Sequence, residues 1–306
     1  MMFKSIRAWH CATLCLLLLL NVEAFSQESR VQSLTILYTA NTNGYLEECP
    51  CSKDGLGGIA RRKTVFDQHQ TGNTLILDAG NLFSPYRKNE AQEQLLISLT
   101  EKLAYSLMNL GEQEFSYGLN FWKENGRKLN FVSANLRDKE GHRLTPPFQI
   151  FAFEGLRVGV TGVLSESAFQ NLPDDIRADL SLVPIEEELS KTLVHIKNEQ
   201  ANLIVLLLRS QDYEAEQSLA KRFPELHLIV STDERLAREK PLRIGQTLAV
   251  SSGSEGEHVG KLSLVIDASK NQILSYKNVL IPLSKSVKKH AQIDSLIQSF
   301  KQSQPK

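Results

Sequence analysis

Two short runs of apolar and β-branched residues, 34–39 (Leu-Thr-Ile-Leu-Tyr-Thr) and 74–78 (Thr-Leu-Ile-Leu-Asp), predict buried strands. Between 91 and 108 the chain turns to Gln, Glu, Leu, Ala and Met without proline or glycine, which predicts a helix. Residues 131–134, 149–153 and 157–160 are further strand candidates, the last two joined as a hairpin through Glu154-Gly155-Leu156. Pro184 opens the clearest helix. Three acids follow it at the positive end of the helix dipole, and Ile185, Leu189, Leu193 and Ile196 form one stripe. His195 on this helix is expected to be solvated. Residues 203–208 and 228–230 predict buried strands on either side of a helix at 214–222. Glycine-rich 252–256 leads into a strand at 261–266 and a hairpin through Lys270-Asn271. Ile293, Leu296, Ile297 and Phe300 mark a closing helix, with 301–306 expected to fray. No repeat or low-complexity linker divides residues 33–285. The pattern is that of one α/β domain of mixed sheets covered by helices, with a helix and tail at 286–306.

The first residues follow a different logic. Lys4 and Arg7 precede an apolar run at 12–20, and Ala24-Phe25-Ser26 follows it, an arrangement expected of a signal peptide over 1–26. The run is shorter than the roughly 20 residues that span a bilayer. Cys11 and Cys15 lie before or inside it, which argues against a lipoprotein anchor. Cleavage after Ser26 leaves 306 − 26 = 280 residues, exported to the periplasm or the medium. Composition then narrows the partners. Lysine plus arginine (35) balances aspartate plus glutamate (35), so the broad basic field that attracts nucleic acid is missing, and 42% hydrophobic residues supply a core.

With Cys11 and Cys15 in the expected signal, Cys49 and Cys51 remain, too few for a disulfide scaffold. In Cys49-Pro50-Cys51 the two thiols fit a strained and easily reduced bridge, or a redox or soft-metal site for copper or zinc. An ordinary local disulfide, or two thiols in a loop, is the simpler alternative.

Loops after strand ends are where α/β folds place chemistry, and the wording there resembles a known family. Residues 34–46, Gly57-Gly-Ile-Ala-Arg-Arg62, 75–83 (Leu-Ile-Leu-Asp-Ala-Gly-Asn-Leu-Phe), 110–118 (Leu-Gly-Glu-Gln-Glu-Phe-Ser-Tyr-Gly), 133–136, 155–163 and 252–267 resemble, in order, the phosphoesterase domain of secreted 5′-nucleotidases and calcineurin-like metallophosphoesterases. The resemblance implies a four-layer α-β-β-α sandwich of mixed sheets flanked by helices, corresponding to that family's N-terminal domain without the nucleotide-gripping C-terminal domain. It also implies a two-metal centre. At the chemistry the wording departs. The family's metal-ligand positions fall on Asn41, Asn43, Asn81, Glu112, Arg209, Asp233 and Arg235, and its catalytic histidine and the following acid fall on Gln113 and Ser116. None of the seven histidines stands in an H-x-H or D-x-H spacing at a strand end.

Two divalent ions need carboxylates and neutral imidazoles, whereas amides ligate weakly and arginines repel cations. The expectation is therefore an exported, non-catalytic phosphoesterase-like protein without a cofactor, serving as a binding or accessory subunit for a protein partner or a small anion. Arg209 and Arg235 with the amides would suit an anion held without metal. Alternatively, these groups hydrogen-bond one another and fill the cleft. Two other functions stay open: a metal-dependent phosphoester or 5′-nucleotide hydrolase with atypical ligands, and a thiol redox or metal-handling protein using Cys49 and Cys51. Gly57 and Gly58 are expected to shape a turn, with Arg61 and Arg62 as solvated or salt-bridged charges beside it.

Overall fold

The computed structural model describes residues 31–50, 52, 54–86, 89–235 and 237–304. The expected signal peptide and Cys51 lie outside them. In chain order, β1 (Val31–Thr39), α1 (Ile59–His69), β2 (Thr74–Asp78), α2 (Glu90–Leu103), β3 (Leu107–Asn109) and α3 (Gly118–Asn125) come first. Next are β4 (Phe131–Val132), β5 (Leu136–Asp138), β6 (Phe148–Phe153), β7 (Leu156–Leu164), α4 (Glu166–Phe169) and α5 (Asp174–Arg177). β8 (Leu180–Leu182), α6 (Ile185–Asn198), β9 (Leu203–Arg209), α7 (Ala215–Arg222) and β10 (Leu228–Ser231) follow. The last are β11 (Leu242–Ile244), β12 (Thr247–Ser251), β13 (His258–Asp267), β14 (Gln272–Pro282) and α8 (Ala291–Ser303).

The strands form two six-stranded mixed sheets, in the orders β14-β13-β1-β2-β3-β4 and β11-β12-β10-β9-β7-β6, with β5 and β8 paired apart. β1 through β4 run parallel, as do β12, β10, β9 and β7. β13 pairs antiparallel with β1 and with β14.

Strand alternation builds the layers, because successive side chains point to opposite faces. Leu34, Ile36 and Tyr38 of β1 meet Leu203, Val205 and Leu207 of β9 in an apolar core between the sheets. Leu37 and Ile76 point the other way, into a core with Phe66 of α1, Leu96 of α2, Trp122 of α3 and Ile293 of α8. On the far side of the second sheet, Ile204, Leu206 and Leu208 pack on Leu189, Leu193 and Ile196 of α6 and Leu219 of α7. The result is the four-layer α-β-β-α sandwich.

Several elements differ from the sequence pattern. The helix expected over 91–108 ends at Leu103, where Ala104 takes a left-handed conformation (φ 57°), and Leu107–Asn109 becomes a central strand. The strand expected at 157–160 extends to Leu164, and α8 continues to Ser303 instead of fraying from 301. β12, buried throughout, has no counterpart in the pattern reading.

Candidate functional site

The parallel strands of both sheets deliver their carboxyl ends to one side of the sandwich, where loops can converge. The loops after β1 and β2 zip together: the Asn41 amide donates to the Gly80 carbonyl (3.0 Å), Asn43 to Asn81 (3.0 Å) and Gly44 to Leu82 (2.9 Å). Asn41, Asn43 and Asn81 have φ of 50°, 51° and 64°, a left-handed region where asparagine is enriched among non-glycine residues. Asn81 Nδ2 donates to Asn41 Oδ1 (3.3 Å), and Asn41 Nδ2 donates to the carbonyls of Thr232 (3.2 Å) and Gly253 (3.0 Å).

Beside this amide pair, Arg209 at the end of β9 meets Glu112 from the turn after β3. Arg209 Nε donates to Glu112 Oε2 at 2.8 Å and Nη2 to the other carboxylate oxygen, while Nη1 reaches Thr232 Oγ1 at 3.3 Å. Both side chains are buried. Asn41, Asn81, Glu112 and Arg209 therefore come together around Thr232. Gln113 and Ser116 line the same cleft, and Ser116 Oγ donates to the carbonyls of Ser84 and Gln113, both at 2.8 Å. This cleft encloses about 980 Å³, with Asn43, Ser84, Glu93 and Glu255 on its walls.

Asp233 and Arg235 stand one step away, in an adjoining cleft of about 440 Å³ that shares Arg209. Arg235 Nη2 donates to Asp233 Oδ2 (2.9 Å), and its guanidinium lies 3.6 Å over the Tyr213 ring. Burial alone would raise the Asp233 pKa, but hydrogen bonds from Arg235 and the charges of Arg238 and Arg235 hold it below the usual carboxylate range. The open amide-and-guanidinium site for an anion is not what these residues form. The fork of Arg209 is closed by Glu112, and Arg235 is turned onto Asp233 and Tyr213.

Arg61 and Arg62 are both buried: neither is solvated, and Arg61 is salt-bridged to Glu48, the other expectation for it. Gly57 and Gly58 turn the backbone at φ 107° and 103°. Arg61 Nη1 then donates to the Gly57 carbonyl (2.9 Å) and to Glu48 Oε2 (3.2 Å), and Arg62 Nη1 to Thr42 Oγ1 (2.8 Å) and Tyr105 OH (3.2 Å). Oxygens of the turn and of its neighbours take the place of water. His195 is exposed, as its helix position predicts.

Glu114 escaped the sequence reading. It is fully buried, and accepts the amides of Leu82 and Gly111, both at 2.6 Å. Burial nevertheless pushes its carboxyl up to about 7. Its sequence signal is weak, a second acid two residues after Glu112. Cys49 is buried and held in a disulfide, and the chain's other cysteines all lie outside the described residues.

No protein-family model matches the chain. In sequence it is 24% identical over 300 residues to a 5′-nucleotidase of Vibrio cholerae, an alignment covering 85% of this chain and 54% of that protein. In structure it superposes on the calcineurin-like phosphoesterase YfkN of Bacillus subtilis with a TM-score of 0.75 at 20% identity, over 89% of this chain and 97% of that one. The chain is thus similar in sequence to 5′-nucleotidases and shares the fold of calcineurin-like phosphoesterases. A further phosphoesterase-fold neighbour is the sulfate thiohydrolase SoxB of Thermus thermophilus (TM-score 0.77, 16% identity, 87% of this chain and 60% of that one). The chain spans about half the length of the curated nucleotidases it matches over most of its own length, 54% and 46%.

Phosphoesterases of this family are typically dependent on divalent metal. The residues here do not fit a pair of such ions. The floor supplies amides already engaged with each other and with backbone carbonyls, and its buried carboxylate Glu112 is bound by a guanidinium. Among the described residues, the one group of three or more metal-capable side chains with mutually close ligand atoms is Asp138, Glu140 and His142, at the end of β5 and in the turn that follows it. None of the three lines either cleft, and exposed acidic groups often meet without an ion.

Proposed function

We propose that this chain is a phosphoesterase-fold protein that does not hydrolyse phosphoesters and acts as an exported binding or accessory subunit. The observation that carries this reading is the buried Arg209–Glu112 pair among the amides of Asn41 and Asn81. Hydrolysis in this family relies on divalent ions that bind the phosphate and activate a water. Changes merely around metal ligands cost roughly 10–100-fold in affinity or activity. A guanidinium at a ligand position, with the nearby carboxylate neutralised by it, costs far more. In this reading residues 33–285 form one domain behind a cleaved signal at 1–26. Cys49 and Cys51 serve as an ordinary local disulfide, the simpler of the sequence alternatives, instead of carrying electrons. The partner is a protein, or a small ligand held in the cleft without metal.

The test is metal analysis of the purified chain together with hydrolysis of a generic phosphodiester under added manganese. The expected result is substoichiometric metal and no turnover above the uncatalysed rate. Stoichiometric metal, with turnover abolished by Asn81→Ala, overturns the proposal in favour of a hydrolase with atypical ligands, the activity its relatives' names describe.

A further inference from the structure

The larger cleft carries buried side-chain oxygens that no donor among the described residues satisfies. Asn43 Oδ1, Glu93 Oε2, Gln113 Oε1 and Glu255 Oε2 are buried oxygens without a partner among the described residues, and all four residues line it. Every one is an acceptor. Glu93 is the most telling. It is 2% exposed and lines the cleft; its Oε1 accepts the Ser84 amide at 3.1 Å, and its Oε2 accepts nothing. Buried polar atoms in native proteins are normally paired, so this set points to something that brings N–H or O–H groups.

The charges point the same way. Arg209 is the one cation among the described lining residues, and Glu112 occupies it; Glu93, Asp175, Glu234 and Glu255 line the same space. Burial raises Glu93 to about 7 with only a backbone amide to offset it. Burial, with repulsion from Glu234 and Glu257, raises Glu255 as well, although Asn43 donates to it. The acceptors are strung along the wall: Glu255 bonds Asn43 (3.3 Å), Gly44 packs on Ser84, and Ser84 bonds Glu93.

Resting on the non-hydrolytic reading, we propose that this cleft binds a linear oligoamine, protonated amines spaced by methylenes, with one amine at Glu255 and Asn43 and another at Glu93. Each primary ammonium carries three donors. Tyr45 and Leu172, also on the walls, offer apolar and aromatic surface for the methylenes and a ring face for a cation. A volume of about 980 Å³ holds such a chain, since small-molecule sites run to about 300–1,000 Å³. A single hard cation fits less well. It needs its charged ligands around one point, and among the described residues no three His, Cys, Asp or Glu ligand atoms in this cleft lie within 4.8 Å of one another. An anion meets the carboxylates of Glu93, Glu234 and Glu255, with Asp175 on the same lining.

The experiment is calorimetric titration of the purified full chain with spermidine, with magnesium and AMP titrated in parallel. Saturable one-to-one spermidine binding is expected, weakened about tenfold by Glu255→Gln or Glu93→Gln, as loss of a charge-assisted hydrogen bond implies. Glu234→Gln, at an exposed position, folds normally and weakens binding severalfold, so the comparison stands even if a buried variant does not fold. No saturable binding, binding untouched by every variant that folds, or magnesium binding as tightly in the same cleft overturns the proposal. A chain free of metal and turnover that ignores spermidine overturns the oligoamine alone. A metal-loaded hydrolase overturns the functional reading beneath it.

Discussion

Arg209 and Glu112 are 97 positions apart in sequence and share two hydrogen bonds in a buried setting. Removing one partner of such a pair leaves a charge without compensation, at a cost of about 3–5 kcal/mol. Arg209→Met is therefore expected to lower unfolding stability in urea by about that amount, and adding Glu112→Gln should recover at least half. A single variant as stable as the parent would show that the pair is not desolvated. The positions of both residues were legible from the family wording; their pairing was not, because nothing local in a sequence says which distant charge a guanidinium meets. The same blindness hid the burial of Arg61 and Arg62. A basic pair beside a glycine turn reads as solvated until turn carbonyls and the oxygens of Thr42 and Tyr105 close around it. Glu114 was missed for a related reason: its partners are backbone amides, which any sequence supplies.

Elements were read best where periodicity and composition agreed. The runs at 34–39, 74–78 and 203–208 became β1, β2 and β9, and the stripe after Pro184 became α6. The error at 91–108 has a physical cause. Leucine and methionine serve a helix and a buried strand equally, and the break comes at Ala104, in a left-handed cap usually marked by glycine or asparagine. Pairing of β1 with β13 rests on a close approach that composition does not reveal. Tyr38 lies opposite Gly260 in the register, and a Cβ on Gly260 would sit 1.9 Å from the Tyr38 ring. Gly260→Ala must displace that ring from the core between the sheets. The expected cost is at least about 1–3 kcal/mol, the usual range for overpacking, seen as a melting temperature lower by several degrees. An unchanged melting temperature would mean that the ring moves aside freely.

Across the whole molecule, buried carboxyls set a pH response of unusual sign. Glu93 and Glu114 are both raised from 4.5 to about 7 by burial. Between those values the folded chain keeps protons that the unfolded chain has lost, so their contribution is complete below about 4.5 and disappears as pH rises through 7. Each is worth about 3 kcal/mol at most. Glu188, held low by Arg143 and Arg137 against the burial that would raise it, acts oppositely and loses its contribution in stronger acid. The urea midpoint should therefore fall from pH 5.5 to pH 8, and Glu93→Gln, which keeps an oxygen for the Ser84 amide, should flatten the slope. A midpoint that climbs over this range contradicts the assignment. Mixed sheets covered by helices were legible from the apolar runs and helix stripes, and the four-layer stacking from the family resemblance; the chemistry at the strand ends was not, since it depends on how the loops meet. The turns that carry Asn41, Asn43 and Asn81 twist the main chain into a shape that aliphatic and β-branched residues resist. Substitution at these three places can thus proceed toward aspartate or glycine but hardly toward oily side chains, and the hollow stays wettable and open to polar guests instead of healing into core.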